Sequence, residues 1–187
     1  MLQISPQGGS ADAQEGVSFE HPLTLLLSCH DKVKHFSSAL VTLSLALKKE
    51  GWNEQLVASS DQIRRYFNVA APEHHLDEEE HLFPAIIALD PELKKPQSLA
   101  IVQLIHRLIK EHVESDSLWE SLDGLLAERS NDFARLGKLS ADFKREMHTH
   151  ADIENEQIFP YAKANMSDEI LKAIGLSIAK RRGVKME

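Results

Sequence analysis

Ten histidines stand beside a single cysteine in this chain, and six of the residues that can bind a metal recur in a pattern. Phe67, His74, Glu78, Glu80, Phe83 and Pro84 return as Phe143, His150, Glu154, Glu156, Phe159 and Pro160, each pair 76 residues apart. On an α-helix, residues four apart share a face with their Cβ atoms roughly 6 Å from each other. His74 with Glu78, and His150 with Glu154, can therefore each grip one point. A further histidine precedes each pair, His30 in Leu27-Ser28-Cys29-His30 and His112 in Ile109-Lys110-Glu111-His112. Four imidazoles and two carboxylates are too many donors for one tetrahedral zinc. They suit two metals bridged by the carboxylates. Mixed imidazole and carboxylate donors with open positions suit iron, and manganese or zinc less well.

Taken singly, these signals have plainer explanations. One His-x3-Glu pair is ordinarily a solvated pair on a helix, and Glu78-Glu79-Glu80 alone is an exposed acidic turn. The duplication in register, with apolar residues around it, shifts the balance. Burying two such pairs without a compensating cation would cost several kcal/mol of desolvation, and one of the two facing carboxylates would then take up a proton. His75 with Glu79 offers the same spacing one residue along, but Ala151 and Asn155 occupy the matching places in the second copy. His35, His81, His106 and His148 have no repeat partner and are read as surface or supporting residues. Glu111 is read as solvated and Cys29 as packed.

Four long helical segments must carry these groups. Apolar residues at three- and four-residue spacings predict helices over about Pro22–Glu50, Asn53–Leu89, Pro96–Arg129 and Asp132–Lys163. Pro72 should kink or interrupt the second. A short fifth helix is expected over Asp168–Arg181, its basic end suited to the helix dipole. No period-two alternation or hairpin turn signals a strand. The predicted fold class is all-α, an antiparallel up-down four-helix bundle with a short extra C-terminal helix that caps or flanks it. The domain reading is a loose tail over residues 1–18, the bundle over 19–165 built from two half-repeats, and a C-terminal helix and tail over 166–187.

Composition narrows the partners. A net charge of −8 argues against nucleic acid, whose backbone demands clustered Lys and Arg. One cysteine excludes a disulfide framework and any four-thiolate cluster. No window approaches the roughly 20 apolar residues of a membrane span, and no signal peptide is seen, so the cytoplasm is the expected compartment.

The order His, His-x3-Glu, His, His-x3-Glu, with Phe-Pro after each second motif, resembles the hemerythrin-like family of HHE cation-binding domains over residues 20 to 163. The resemblance implies a four-helix bundle around a non-haem di-iron centre, with an oxo or hydroxo group between two bridging carboxylates. Carried over position by position, it implies His30, His74, Glu78, His112, His150 and Glu154 as the ligands, with Glu78 and Glu154 as bridges. Two departures separate this chain from the oxygen-carrying members. Leu108 stands four residues before His112, where they have a histidine, and His150-x3-Glu154 replaces their His-x4-Asp. The pattern is closer to members implicated in oxygen or iron sensing, nitric oxide or peroxide chemistry and iron-centre repair. The ferritin-like alternative needs Glu-x2-His twice; Glu78-x2-His81 supplies one, but Gln157 breaks the second.

The leading functional expectation is a binding protein that takes oxygen or a related diatomic ligand at open metal positions. The rival is a di-iron enzyme reducing oxygen, peroxide or nitric oxide with outside electrons, and a third reading is an iron- or oxygen-responsive signalling protein. No nucleophile triad or phosphate loop is present.

Overall fold

A computed structural model describes residues 17–184, in which every regular element is helical. Helix α1 (Pro22–Glu50) opens with Pro22, whose missing N–H is no loss in a first turn. It ends at Gly51, where φ is +69°, a conformation glycine adopts without strain. The second rod is a chain of short helices, α2 (Glu54–Arg65), α3 (Ala71–Asp77) and α4 (Phe83–Ile87), joined by π-helical turns at Tyr66–Ala70 and Glu78–Leu82. Asn53 caps it by accepting from the Leu56 N–H. The third rod is α5 (Pro96–Ala127). The fourth joins α6 (Phe133–Ile153) to α7 (Phe159–Asn165) through a π turn at Glu154–Ile158. Helix α8 (Asp168–Arg181) follows, capped by Ser167.

The expected break at Pro72 is not a break. Each π turn ends two residues before a proline: Ala70 before Pro72, Leu82 before Pro84, Ile158 before Pro160. A proline has no N–H to give and its ring crowds the carbonyl four residues back. Widening the preceding turn by one residue absorbs both defects, so the rod continues. Two of these turns begin on Glu78 and Glu154 themselves.

The rods pair in opposing order. His30, Lys34 and Ser38 of α1 meet Asn155, Asp152 and His148. Arg64, Asn68 and Glu79 of the second rod meet Asp123, Trp119 and His112 of α5. Numbers rise along one partner as they fall along the other.

Two apolar clusters form the core. One gathers Val33, Leu40, Leu47, Phe67, Leu122 and Phe143 among others; the second gathers Leu26, Leu82, Phe83, Ile105, Leu108 and Phe159. Helix α8 belongs to the second through Ile174 and Ile178. Its Gly175 lies flat against the chain leading into α1: a Cβ there would stand 1.7 Å from the Phe19 carbonyl oxygen. The expected tail over 1–18 falls, apart from Val17 and Ser18, outside the described residues. No described helix is long and apolar enough to cross a membrane.

Candidate metal centre

The structure brings together all six residues singled out by the repeat, and all six are buried. The rods supply them as the repeat requires: His30 from α1, His74 and Glu78 from the second rod, His112 from α5, His150 and Glu154 from the fourth. Their donor atoms form two groups. His30, His74, Glu78 and Glu154 make one, and His112, His150 and Glu154 the other, with the atoms of each group within 4.8 Å of one another.

Both carboxylates span the two groups. Glu78 turns Oε1 toward His74 Nε2 (3.5 Å) and His30 Nε2 (3.6 Å), and Oε2 toward His112 Nε2 (3.8 Å). Glu154 turns Oε2 toward His30 Nε2 (3.1 Å) and Oε1 toward His150 Nε2 (3.2 Å). The Nε2 atoms of His112 and His150 face each other at 2.9 Å. Yet both oxygens of Glu78, both of Glu154, and His30 Nε2 lack a partner in hydrogen-bonding geometry. Buried polar atoms are almost always satisfied. Unsatisfied lone pairs converging from three rods, with the His112 and His150 Nε2 atoms beside them, all nitrogen or carboxylate oxygen, are a donor set that fits cations.

The outer nitrogens are held from behind. His112 donates its Nδ1–H to Glu79 Oε1 at 2.6 Å, and His30 donates its own to Asn155 Oδ1 at 2.6 Å. Glu79 follows Glu78, and Asn155 follows Glu154, so each half-repeat steadies the first-helix histidine of the other. His150 donates Nδ1–H to Glu111 Oε2 at 3.1 Å, with Arg107 gripping the other Glu111 oxygen at 2.7 Å. Such contacts fix the tautomer that leaves Nε2 free to bind a metal. The rings cross over too: Phe159 stacks on His30 and Phe83 on His112, with centroids 5.2 and 6.3 Å apart.

Two sequence readings are corrected here. Glu111 is not simply solvated, because its carboxylate turns inward to His150. Glu79 is not a bystander of the acidic run, because it holds His112. The signal available was positional: Glu79 and Asn155 share the 76-residue offset, but nothing in one helix says which residue of another its side chain reaches.

The remaining histidines stay outside both donor groups. His35 and His106 are exposed, and His148 bonds Ser38 and the Lys34 carbonyl. His81 is half-buried and joins neither group. His75 lies parallel to His112, centroids 3.9 Å apart and planes 8° apart. A metal sits in the plane of every imidazole that binds it, so two parallel stacked rings cannot share one ion; His74, not His75, is the ligand-like residue. Leu108, in the place of a further histidine, is fully buried in the core.

Charge follows this geometry. Burial opposes a proton on His30, but the Glu154 and Glu78 carboxylates outweigh it and lift the imidazole to about 10. Against the same burial cost, Glu154 and Glu111 lift His150 to about 10. Burial, followed by the neighbouring His150 charge, lowers His112 to about 4. Burial and the charge of Glu154 push Glu78 up to about 8, while the imidazoles of His150 and His30 overcome burial and hold Glu154 low. Without metal, protons on two imidazoles and on Glu78 balance the site, as the repulsion of paired carboxylates requires.

A buried cluster of histidines and carboxylates between helical rods defines a metal-binding helical protein. The hemerythrin HHE cation binding domain matches residues 21–169, and the chain belongs to that family. It is also 30% identical over 178 residues to an uncharacterized protein of Haemophilus influenzae, covering 93% of this chain and 97% of that one.

Proposed function

We propose that this chain is a di-iron protein that binds oxygen or a related diatomic ligand. His30 and His74 would hold one ion and His112 and His150 the other, with Glu78 and Glu154 shared between them, from four rods in up-down order. The observation that supports this most directly is the set of converging buried donors with no partner of their own. The opposing order of the paired contacts supports the up-down arrangement.

Iron, when bound, supplies open coordination positions and a one-electron change at each ion. The chain's residues do the rest. Six donors shared by two ions would leave room for a further ligand, and Leu108 supplies no nitrogen to fill it. Phe83 and Phe159 wall the histidines with apolar surface and keep water away. Glu79, Glu111 and Asn155 hold the outer ring nitrogens so that the donors do not turn.

The test is anaerobic loading with iron(II), iron analysis per chain, and visible absorption before and after oxygen is admitted. Two irons and an oxygen-dependent spectrum are expected. One iron or none overturns the di-iron reading, and two irons with no spectral response overturn the ligand reading.

A further inference from the structure

Beyond its apolar packing, helix α8 makes polar contact with the second rod beside the metal donors. Asp77, fully buried, immediately precedes Glu78 at the start of the π turn Glu78–Leu82. Its Oδ1 accepts from Arg181 and its Oδ2 from Arg182. Arg181 also donates to the Glu73 carboxylate and to the Glu73 carbonyl oxygen, both at 2.6 Å. Four bonds from two adjacent arginines thus clasp the turn from Glu73 to Asp77. His74 lies inside that turn and Glu78 directly after it.

Among the described residues the second half has no such clasp. The residues 76 positions on are Thr149 and Ile153, and Ile153 packs against the apolar core. A fold needing only a filled position there can use an isoleucine, as the second half does. A buried aspartate instead costs desolvation that two arginines must offset, and exchanging such pairs for apolar residues is often neutral or stabilising. Bulk stability therefore does not account for the ion pairs. Their position does: a π turn relaxes the ladder of hydrogen bonds where Glu78 sits, so its carboxylate is set by whatever holds the residue before it.

We propose that Arg181 and Arg182 are positioning residues for the metal centre, holding Glu78 and His74 in place through Asp77 and the Glu73 carbonyl. The proposal rests on the metal reading of the six donors. It makes α8 a working part of the centre, and makes the two metal positions unequal in how firmly they are mounted.

The experiment compares the full-length chain with Arg181→Gln/Arg182→Gln, Arg181→Lys/Arg182→Lys and Asp77→Asn. Each is loaded anaerobically with iron(II) alone. Iron affinity, the Mössbauer signature of each ion, and thermal melts with and without metal are measured. The glutamine pair and Asp77→Asn are expected to weaken one of the two iron sites about 10-fold or more, the effect of losing an outer partner. They should change the signature of the ion at His30 and His74 more than that of the other, since His74 serves only the first while Glu78 faces both, and the lysine pair should restore part of the affinity. If the glutamine pair does not fold, Arg182→Gln alone, which keeps the Arg181 bonds, is expected to show the smaller shift in the same ion. Equal loss of melting temperature in both forms with unchanged affinity and signature would make α8 merely structural and overturn the proposal. No iron on the unaltered chain would overturn the metal reading itself, a result visible in the control.

Discussion

Around His112 and His150 the outer ring nitrogens rest on carboxylates, Glu79 and Glu111. Around His30 and His74 the matching positions hold Asn155 and Cys29, the His30 bond goes to an amide, and His74 Nδ1 has no hydrogen-bond partner. The inner donors are thus duplicated faithfully while their supports have diverged. A carboxylate behind an imidazole raises its basicity and strengthens it as a ligand; an amide orients the ring without adding charge. The His112 half therefore has negative charge behind both of its imidazoles, which the His30 half lacks. The His30 half compensates with the clasp from α8. A duplicated pattern conserves the atoms that face the centre because geometry leaves them no freedom, and lets the atoms behind them vary.

The comparison breaks most completely at the residues both halves share. Glu154 faces one histidine of each group and Glu78 faces three imidazoles, so Glu78→Ala or Glu154→Ala should lose at least one metal per chain by elemental analysis. Two metals retained in either variant would remove that carboxylate from the site.

Next in size is removal of the metal. Binding only the folded state adds about 4 kcal/mol when free metal exceeds Kd a thousandfold, which for a chain of this size is roughly 8–16 °C in melting temperature. Helical content by circular dichroism should survive chelation, since the apolar clusters lie along the rods on either side of the donors. Equal melting temperatures with and without metal would show that the six residues are no metal site. The metal-free form should also respond to pH in a defined direction. His30 and His150 are raised from 6.5 to about 10, and Glu78 from 4.5 to about 8. A raised group stabilises fully below its unfolded pKa and loses that contribution as pH climbs to the folded value. His112, lowered to about 4, and His74 and His75, which burial holds well below 6.5, act oppositely and withdraw stability as pH falls below 6.5. Metal-free protein should therefore melt highest near pH 6.5 and lower at pH 9. The metal-loaded form, whose ligands are already deprotonated at the metal, should change less over that interval. A metal-free melt unchanged from pH 6.5 to 9 would contradict the protonated cluster.

The comparison sharpens at the supports. Glu79→Gln should weaken metal retention by about 10-fold or more, with the loss confined to the His112 half. Asn155→Asp should have the opposite sign and make the His30 half resemble its partner. Chelator-driven release followed in time would resolve the halves; release unaltered in both variants would show that the supports do not tune the donors. The smallest effect belongs to His75→Ala, which removes a ring stacked on His112 but no donor. Iron stoichiometry should stay at the unaltered value, while His74→Ala should lower it, and the reverse result would shift the register of the second rod by one residue.

Much of the centre was legible in the chain because a helix makes residues four apart neighbours whatever surrounds them. His74-Glu78 and His150-Glu154, repeated 76 residues apart, named their own face, and His30 and His112 followed from the matched contexts before them. The helices themselves were legible from apolar spacing, with Pro22, Asn53 and Gly51 marking ends by local backbone chemistry. Pro72 was legible as a defect but not as its remedy: whether a rod breaks or widens into a π turn depends on the packing that holds its two ends in line.

What the sequence by itself determined is the inner ring of donors and the rods that bear them, since both are settled by contacts within three or four residues. Only the tertiary structure decided which side chains stand behind that ring. Glu111 looks like one more acid on α5 until α6 brings His150 alongside, and Glu79 looks like part of an acidic run until α5 brings His112. Asp77 and the Arg181–Arg182 pair, a hundred residues apart, meet only because α8 folds back onto the core with Gly175 against Phe19. A side chain's reach is a few ångströms, and which groups come within it across different rods is fixed by how the whole bundle packs, not by the order of residues along any one of them.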